Sequence, residues 1–161
     1  MISHPIDPVY DQNSKVLILG SFPSVKSRET QFFYGHPQNR FWRVLAAVFS
    51  AEVPTTTEEK RAFLLHHGIA LWDVIASCDI IGSSDASIKN VVANDVSRIL
   101  KYAQIQAIYV NGKTAEKHYN RYLKPVLRRD AVCLPSTSPA NAGWSVERLV
   151  DAWRVLRQIS T

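Results

Sequence analysis

Short apolar runs alternate with amphipathic segments along most of this chain. Each run ends at Gly, Asn, Pro or a polar residue, which is typical of strands buried on both faces of a parallel sheet. Between the runs, apolar residues recur at helical spacing. The predicted strands span 16–19, 69–75, 107–110 and 131–134. Strands that alternate with helices predict an α/β fold, namely a three-layer αβα arrangement around a central four-stranded parallel sheet.

Helix boundaries can be placed from capping residues. Asn39 stands at the N-cap position of a helix that begins at Arg40, and Thr56 with Glu59 matches a capping box. A last amphipathic helix starts at Ser145. Its predicted inner face consists of Val146, Leu149, Val150, Trp153, Leu156 and Ile159. The turn-rich residues 1–15 and the polar residues 83–94 carry no such pattern, so we expect both segments outside the core.

Length and composition point to an ordinary globular protein. With 161 residues, 46% of them hydrophobic, residues 1–161 are expected to form one domain. The absence of a long apolar run or a leader-like N-terminus predicts a cytoplasmic protein. Cys78 and Cys133 lie far apart and lack metal-ligand spacing, so we expect reduced thiols rather than a disulfide or a metal site.

The chain carries a formal net charge of +5. This excess fits a polyanionic partner such as nucleic acid, although many unrelated proteins share it. Its placement is more informative, because Lys26, Arg28, Arg40 and Arg43 all lie around the first predicted loop.

Three predicted strands end in polar or small residues, at 20–24, 111–112 and 136–144. Because the carboxyl ends of parallel strands share one edge of a sheet, these loops are expected to line one pocket. Ser21 lacks the G-x-S-x-G context of a nucleophilic serine, and no glycine-rich phosphate motif follows a strand. A serine hydrolase and a nucleotide-cofactor enzyme are therefore disfavoured.

Four short motifs occur in a distinctive order: Gly20-Ser21-Phe22-Pro23-Ser24, His36-Pro37-Gln38-Asn39-Arg40-Phe41-Trp42, Val110-Asn111-Gly112-Lys113 and Leu134-Pro135-Ser136. In order and spacing the chain resembles the uracil-DNA glycosylase superfamily. It is closest to the hypoxanthine-DNA glycosylase branch and similar to the mismatch-specific branch. The resemblance implies a monofunctional enzyme of base excision repair that hydrolyses the N-glycosidic bond of a flipped-out deaminated base, above all hypoxanthine, without metal or organic cofactor.

Two positions depart from the uracil-excising branches. Phe22 stands where the mismatch-specific branch has Asn, and Ser136 stands where His or Asn is expected. Both departures disfavour efficient uracil excision. A uracil or mismatch glycosylase and a catalytically inactive DNA-binding relative remain as alternatives.

By position, the resemblance assigns catalysis to Asn39, whose amide would orient the attacking water. The implied base pocket consists of Gly20, Ser21, Phe22, Pro23, Ser24, Phe33, Tyr34 and Asn111. The implied DNA contacts are His36, Arg40, Ser136, Thr137, Ser138, Pro139, Ala140 and Asn141. The expected partner is double-stranded DNA containing a deaminated base, with single strands as a second substrate form, bound by a monomer.

Simpler roles remain open for several of these residues. Asn39 also suits a helix cap, Phe33 and Tyr34 suit core aromatics, and Asn111 before Gly112 suits a turn. Asp73 suits either a turn former or a water-activating carboxylate.

Overall fold

The computed structural model describes residues 1–160, with side chains described through residue 158. Its strands are β1 (Ile2–Ser3), β2 (Val16–Gly20), β3 (Ile69–Asp73), β4 (Ile75–Asp79), β5 (Lys89–Ala93), β6 (Ala107–Asn111) and β7 (Val132–Leu134). Its helices are α1 (Val25–Thr30), α2 (Phe41–Val48), α3 (Thr57–His66), α4 (Ser97–Tyr102), α5 (Lys113–His118), α6 (Lys124–Leu127), α7 (Val146–Trp153) and α8 (Val155–Ser160).

A four-stranded parallel sheet with the order β3-β2-β6-β7 forms the centre of the fold. Val16 of β2 pairs with Ile69 of β3 on one side and with Ala107 of β6 on the other. Every residue of β2 and β3 is buried, which requires cover on both faces of the sheet. The predicted α/β fold with a four-stranded parallel sheet is confirmed.

The helices follow the predicted pattern with small differences at their ends. α3 begins with the predicted capping box, in which the Glu59 amide donates to the Thr56 hydroxyl and the Thr56 amide donates to the Glu59 carboxylate, both over 3.0 Å. The C-terminal segment forms two helices, α7 and α8, where one was predicted. The side chain of Ile159 lies outside the described residues.

The expectation that residues 1–15 lie outside the core is wrong, whereas residues 83–94 lie mostly outside the core as expected but contain a strand that was not predicted. Ile6 and Val9 are buried, and Val9 pairs with Leu71. Strand β5 pairs with β4, which also pairs with β1, so an antiparallel three-stranded sheet β1-β4-β5 adjoins the central sheet. These strands are short or half-exposed and therefore contain no continuous apolar run.

One residue, Val74, separates β3 from β4. The chain consequently passes from the parallel sheet into the antiparallel one just where the site is expected.

Cys78 and Cys133 are both free thiols. Among the described residues, no helix has the length and apolarity required to cross a membrane.

Candidate functional site

A cavity of about 440 Å³ lies at the carboxyl edge of the parallel sheet. Its size falls within the range of about 300 to 1,000 Å³ that is usual for small-molecule sites. It is lined by Asn39, by His36, by residues 136–140 and by every residue predicted for the base pocket. Arg40 and Asn141 are not among its lining residues.

The side-chain oxygen of Asn39 is hydrogen-bonded, whereas its side-chain nitrogen is not. Its Oδ1 accepts hydrogen bonds from the Phe41 amide and from the Thr137 hydroxyl, each 2.9 Å long. For its Nδ2, the described part of the chain provides no hydrogen-bond partner. Asn39 therefore closes the turn that leads into α2, although the N-cap of this helix is Arg40 and not Asn39 as predicted, and it also presents its amide donors at the cavity.

Thr137 fixes the orientation of both asparagine side chains. Its backbone N–H, which can only donate, bonds to Asn111 Oδ1 over 3.1 Å, so Asn111 Nδ2 is the atom that donates to Thr137 Oγ1 over 3.0 Å. The Thr137 hydroxyl must then donate its own proton to Asn39 Oδ1. This chain of bonds leaves Asn39 Nδ2 as the free end. Thr137 is fully buried, and the sequence analysis had assigned it only to DNA contact.

Arg40 corrects a sequence prediction. We expected it to contact DNA phosphates, but it is only 9% exposed. Its guanidinium donates to the carbonyl of Ser138 over 2.8 Å, to that of Asn141 over 3.0 Å and to that of Trp144. The donors are used inside the protein because the loop after β7 folds back across the start of α2.

The loop after β7, residues 135–144, is held together by hydrogen bonds between its own residues. Ser136 Oγ accepts from the Ser138 amide over 3.1 Å, and Asn141 Nδ2 donates to the Ser136 carbonyl over 3.0 Å. Pro139 and Ala140 stand exposed at its tip beside the cavity. Arg40 thus holds a rigid loop whose tip is free to meet a partner.

Asp73 and His4 form a buried pair, of which only Asp73 was recognised in the sequence. His4 Nε2 lies 2.8 Å from Asp73 Oδ2, and the two side chains are 3% and 6% exposed. His4 Nδ1 accepts from the Ile6 amide over 3.1 Å, so the Nε2 nitrogen carries the proton toward Asp73. Asp73 lines the cavity at the end of β3. No periodic signal marked His4, because it lies in the irregular segment before β2.

Tyr34 occupies a strained position in the same wall. Its φ of 53° is in the left-handed region, which costs on the order of 1–3 kcal/mol for a bulky residue. Its ring stacks on Phe41 at 4.0 Å between centroids. Its buried hydroxyl has no hydrogen-bond partner among the described residues. Burial, and then the charge of Asp73, raise the pKa of Tyr34, whereas the Asn111 side chain lowers it, and the net rise keeps the hydroxyl a proton donor at neutral pH.

The remaining predicted pocket residues differ in exposure. Phe33 is 2% exposed and its carbonyl accepts from Trp42 Nε1, as expected for a core aromatic, although it also borders the cavity. His36 is half-buried, and its Nδ1 accepts from the Gln38 amide over 3.1 Å.

Asp85 is a second carboxylate at the cavity that the sequence analysis did not single out. Desolvation raises its pKa, while the side chains of Thr114 and His118 act in the opposite direction. It comes from the connection between β4 and β5, which was expected to be a surface excursion.

Gly20 is required by its neighbours rather than by its backbone conformation. A Cβ at this position would lie 2.3 Å from Asp73 Oδ1 and 2.8 Å from the Tyr34 hydroxyl. We predict that Gly20→Ala displaces both groups, lowers the activity of the site by at least about tenfold and destabilises the fold by roughly 1–3 kcal/mol. Gly143→Ala is the control, since a Cβ there meets nothing within 4 Å. Equal activity and equal unfolding temperature of the two variants would contradict the prediction.

Comparison with known proteins gave concordant results. A family model described as the uracil DNA glycosylase superfamily matches residues 8–157. The chain is 34% identical over 153 residues to a protein of Methanosarcina acetivorans named hypoxanthine DNA glycosylase, covering 92% of this chain and 94% of that protein. It is 32% identical over 139 residues to a protein of the same name from Methanosarcina barkeri, covering 83% and 85%.

A solved structure gives the same fold. The solution NMR structure of a Methanosarcina acetivorans protein, provisionally named a uracil DNA glycosylase, superimposes with a TM-score of 0.84. The two chains are 32% identical, and the match covers 100% of each.

Proposed function

The chain belongs to the uracil DNA glycosylase superfamily, and from this membership we propose that it is a monofunctional DNA glycosylase that removes hypoxanthine from DNA. The observation that carries the proposal is the free Asn39 amide at a cavity that also collects the predicted base-pocket residues. The two relatives named hypoxanthine DNA glycosylase support the choice of base.

The reaction would be hydrolysis at C1′ of the damaged nucleotide. As the bond to the base breaks, positive charge develops on the sugar and negative charge on the departing purine. Asn39 Nδ2 would donate to the oxygen of the attacking water and hold it beside C1′. Because Thr137 fixes the orientation of the Asn39 amide, the site would need little reorganisation during the reaction.

The rest of the cavity would bind the extruded base. The backbone of residues 20–24 and the Asn111 side chain would contact its edge, and the ring of Phe33 or Tyr34 would stack on it. His36 and residues 136–141 would contact the DNA, with the tip at Pro139 and Ala140 entering the space left by the flipped nucleotide. Arg40 would act indirectly, by holding this loop.

The proposed substrate is duplex DNA, with single strands as a second form, bound by a monomeric cytoplasmic protein. Exposed basic side chains would meet phosphates, among them Lys113, which lines the cavity, and Lys26, which follows the cavity residue Ser24 by two positions. Binding should therefore weaken steeply as the salt concentration rises.

The experiment is base release from labelled duplexes that contain one hypoxanthine, uracil, xanthine or adenine. Abasic sites are revealed by alkali after the reaction, and a sample without alkali detects strand cleavage. We expect hypoxanthine release and no cleavage before alkali. Preferred release of uracil would assign the protein to the alternative branch, and tight binding without release of any base would identify a catalytically inactive relative.

A further inference from the structure

Asn39 can hold a water molecule but cannot take its proton. In the hydrolysis, the water oxygen forms a bond to C1′, the bond from C1′ to the base breaks, and its electron pair leaves with the base. One water proton must then pass to an acceptor. Both acceptor positions of Asn39 Oδ1 are filled by Phe41 and Thr137, and Nδ2 is a donor. The acceptor must be another group at the cavity.

Asp73 has a free carboxylate oxygen at this place. Its Oδ2 accepts from His4, whereas its Oδ1 has no hydrogen-bond donor among the groups that the structure describes. The residue is 4% exposed and borders the cavity. This unpaired oxygen is not sealed inside the protein, so it is accessible from the cavity, where a water molecule or a substrate group can bind it.

We propose that Asp73 accepts the proton of the attacking water and that His4 positions its carboxylate. This inference rests on the proposed glycosylase function. The Tyr34 hydroxyl, which also lacks a partner and lies beside Gly20 with Asp73 Oδ1, is placed to donate to the same water. Asp85, the other carboxylate at the cavity, interacts with the side chains of Thr114 and His118.

His4 is built to hold Asp73 in one orientation. The Ile6 amide occupies its Nδ1, which directs the Nε2 proton to Asp73 Oδ2 and leaves Oδ1 toward the water. Its ring packs edge-on against Phe22 and Trp72, with centroids 5.9 and 6.4 Å away. His4 does not line the cavity and is therefore a positioning residue.

The test is single-turnover hypoxanthine release by the native protein and by Asp73→Asn, with binding to the lesion duplex measured separately. The amide keeps the shape and an acceptor oxygen but is a very weak base. We expect the rate to fall about a hundredfold while the affinity stays within about twofold. His4→Phe is expected to lower the rate about tenfold. Asp151→Asn, which changes an exposed carboxylate on α7 whose side chain pairs with Arg154, serves as the matched control.

A second variant tests the proposal in case Asp73→Asn does not fold. Asp73→Ser opens space for added formate, which can return a carboxylate to the site. A rate that rises with formate concentration supports the proposal, and a folded Asp73→Ser protein without such a rise overturns it. A native rate in Asp73→Asn, or a loss of affinity as large as the loss of rate, also overturns it, the latter because Asp73 would then bind the base. Absence of release by the native protein would instead refute the proposed function.

Discussion

Asn39→Asp is expected to lower the rate of hypoxanthine release by about a thousandfold, the upper end of the effect of removing one preorganised donor. Aspartate keeps the oxygen that accepts from the Phe41 amide and the Thr137 hydroxyl, so the first turn of α2 remains closed. It lacks the Nδ2 donors at the cavity. The measurement is single-turnover release combined with thermal unfolding, and the unfolding temperature should remain close to that of the native protein.

Two further variants separate catalysis from support of the turn before α2. Asn39→Ser retains a hydroxyl without an amide, and it should be as inactive as Asn39→Asp. Asn39→Ala also loses the acceptor for the Phe41 amide and the Thr137 hydroxyl, which should lower the stability by about 1 kcal/mol. A native rate of release in Asn39→Asp would show that Asn39 only supports this turn, and another residue would then have to hold the water.

Arg40→Met is expected to destabilise the protein by about 3 kcal/mol, because it removes the charged donor from four backbone carbonyls, those of Thr137, Ser138, Asn141 and Trp144. For a chain of this size the unfolding temperature should fall by roughly 6–12 °C. Base release from duplex DNA should fall too, since the loop after β7 loses its anchor.

Arg43→Met is the matched control for Arg40, since Arg43 lies one turn further along α2 and is exposed. We expect it to unfold close to the native temperature. The prediction would be contradicted if Arg40→Met were as stable as the native protein and its DNA affinity depended less on the salt concentration. Arg40 would then contact a DNA phosphate, as the sequence suggested.

The central sheet and the location of the site were predictable because both depend on local patterns. Buried strands are recognisable as apolar runs, and parallel strands bring their carboxyl ends to one edge whatever the length of chain between them. Gly20, Asn111 and Ser136 could therefore be assigned to one pocket, which the structure confirms. The Asn39 motif was recognisable only through the resemblance to a family.

The groups that set the chemistry of the site were less predictable. His4 and Arg40 gain their surroundings from residues far along the chain, Asp73 and the loop after β7 respectively, and no local spacing encodes such pairs. The antiparallel strands escaped notice because a short or half-exposed strand contains too few apolar residues to form a pattern. Tyr34, with its left-handed backbone, likewise has no signature in a sequence that lacks glycine at that position.

The hydrogen bond from Thr137 to Asn39 joins residues 98 positions apart. β2 lies between β3 and β6, and both of these strands are distant from it in the chain. Closing such long loops slows folding, and the residues that line the cavity extend from Gly20 to Ala140. The amide of Asn39 is therefore oriented only once the complete sheet has formed, so during refolding the recovery of base release should lag behind the recovery of helical structure.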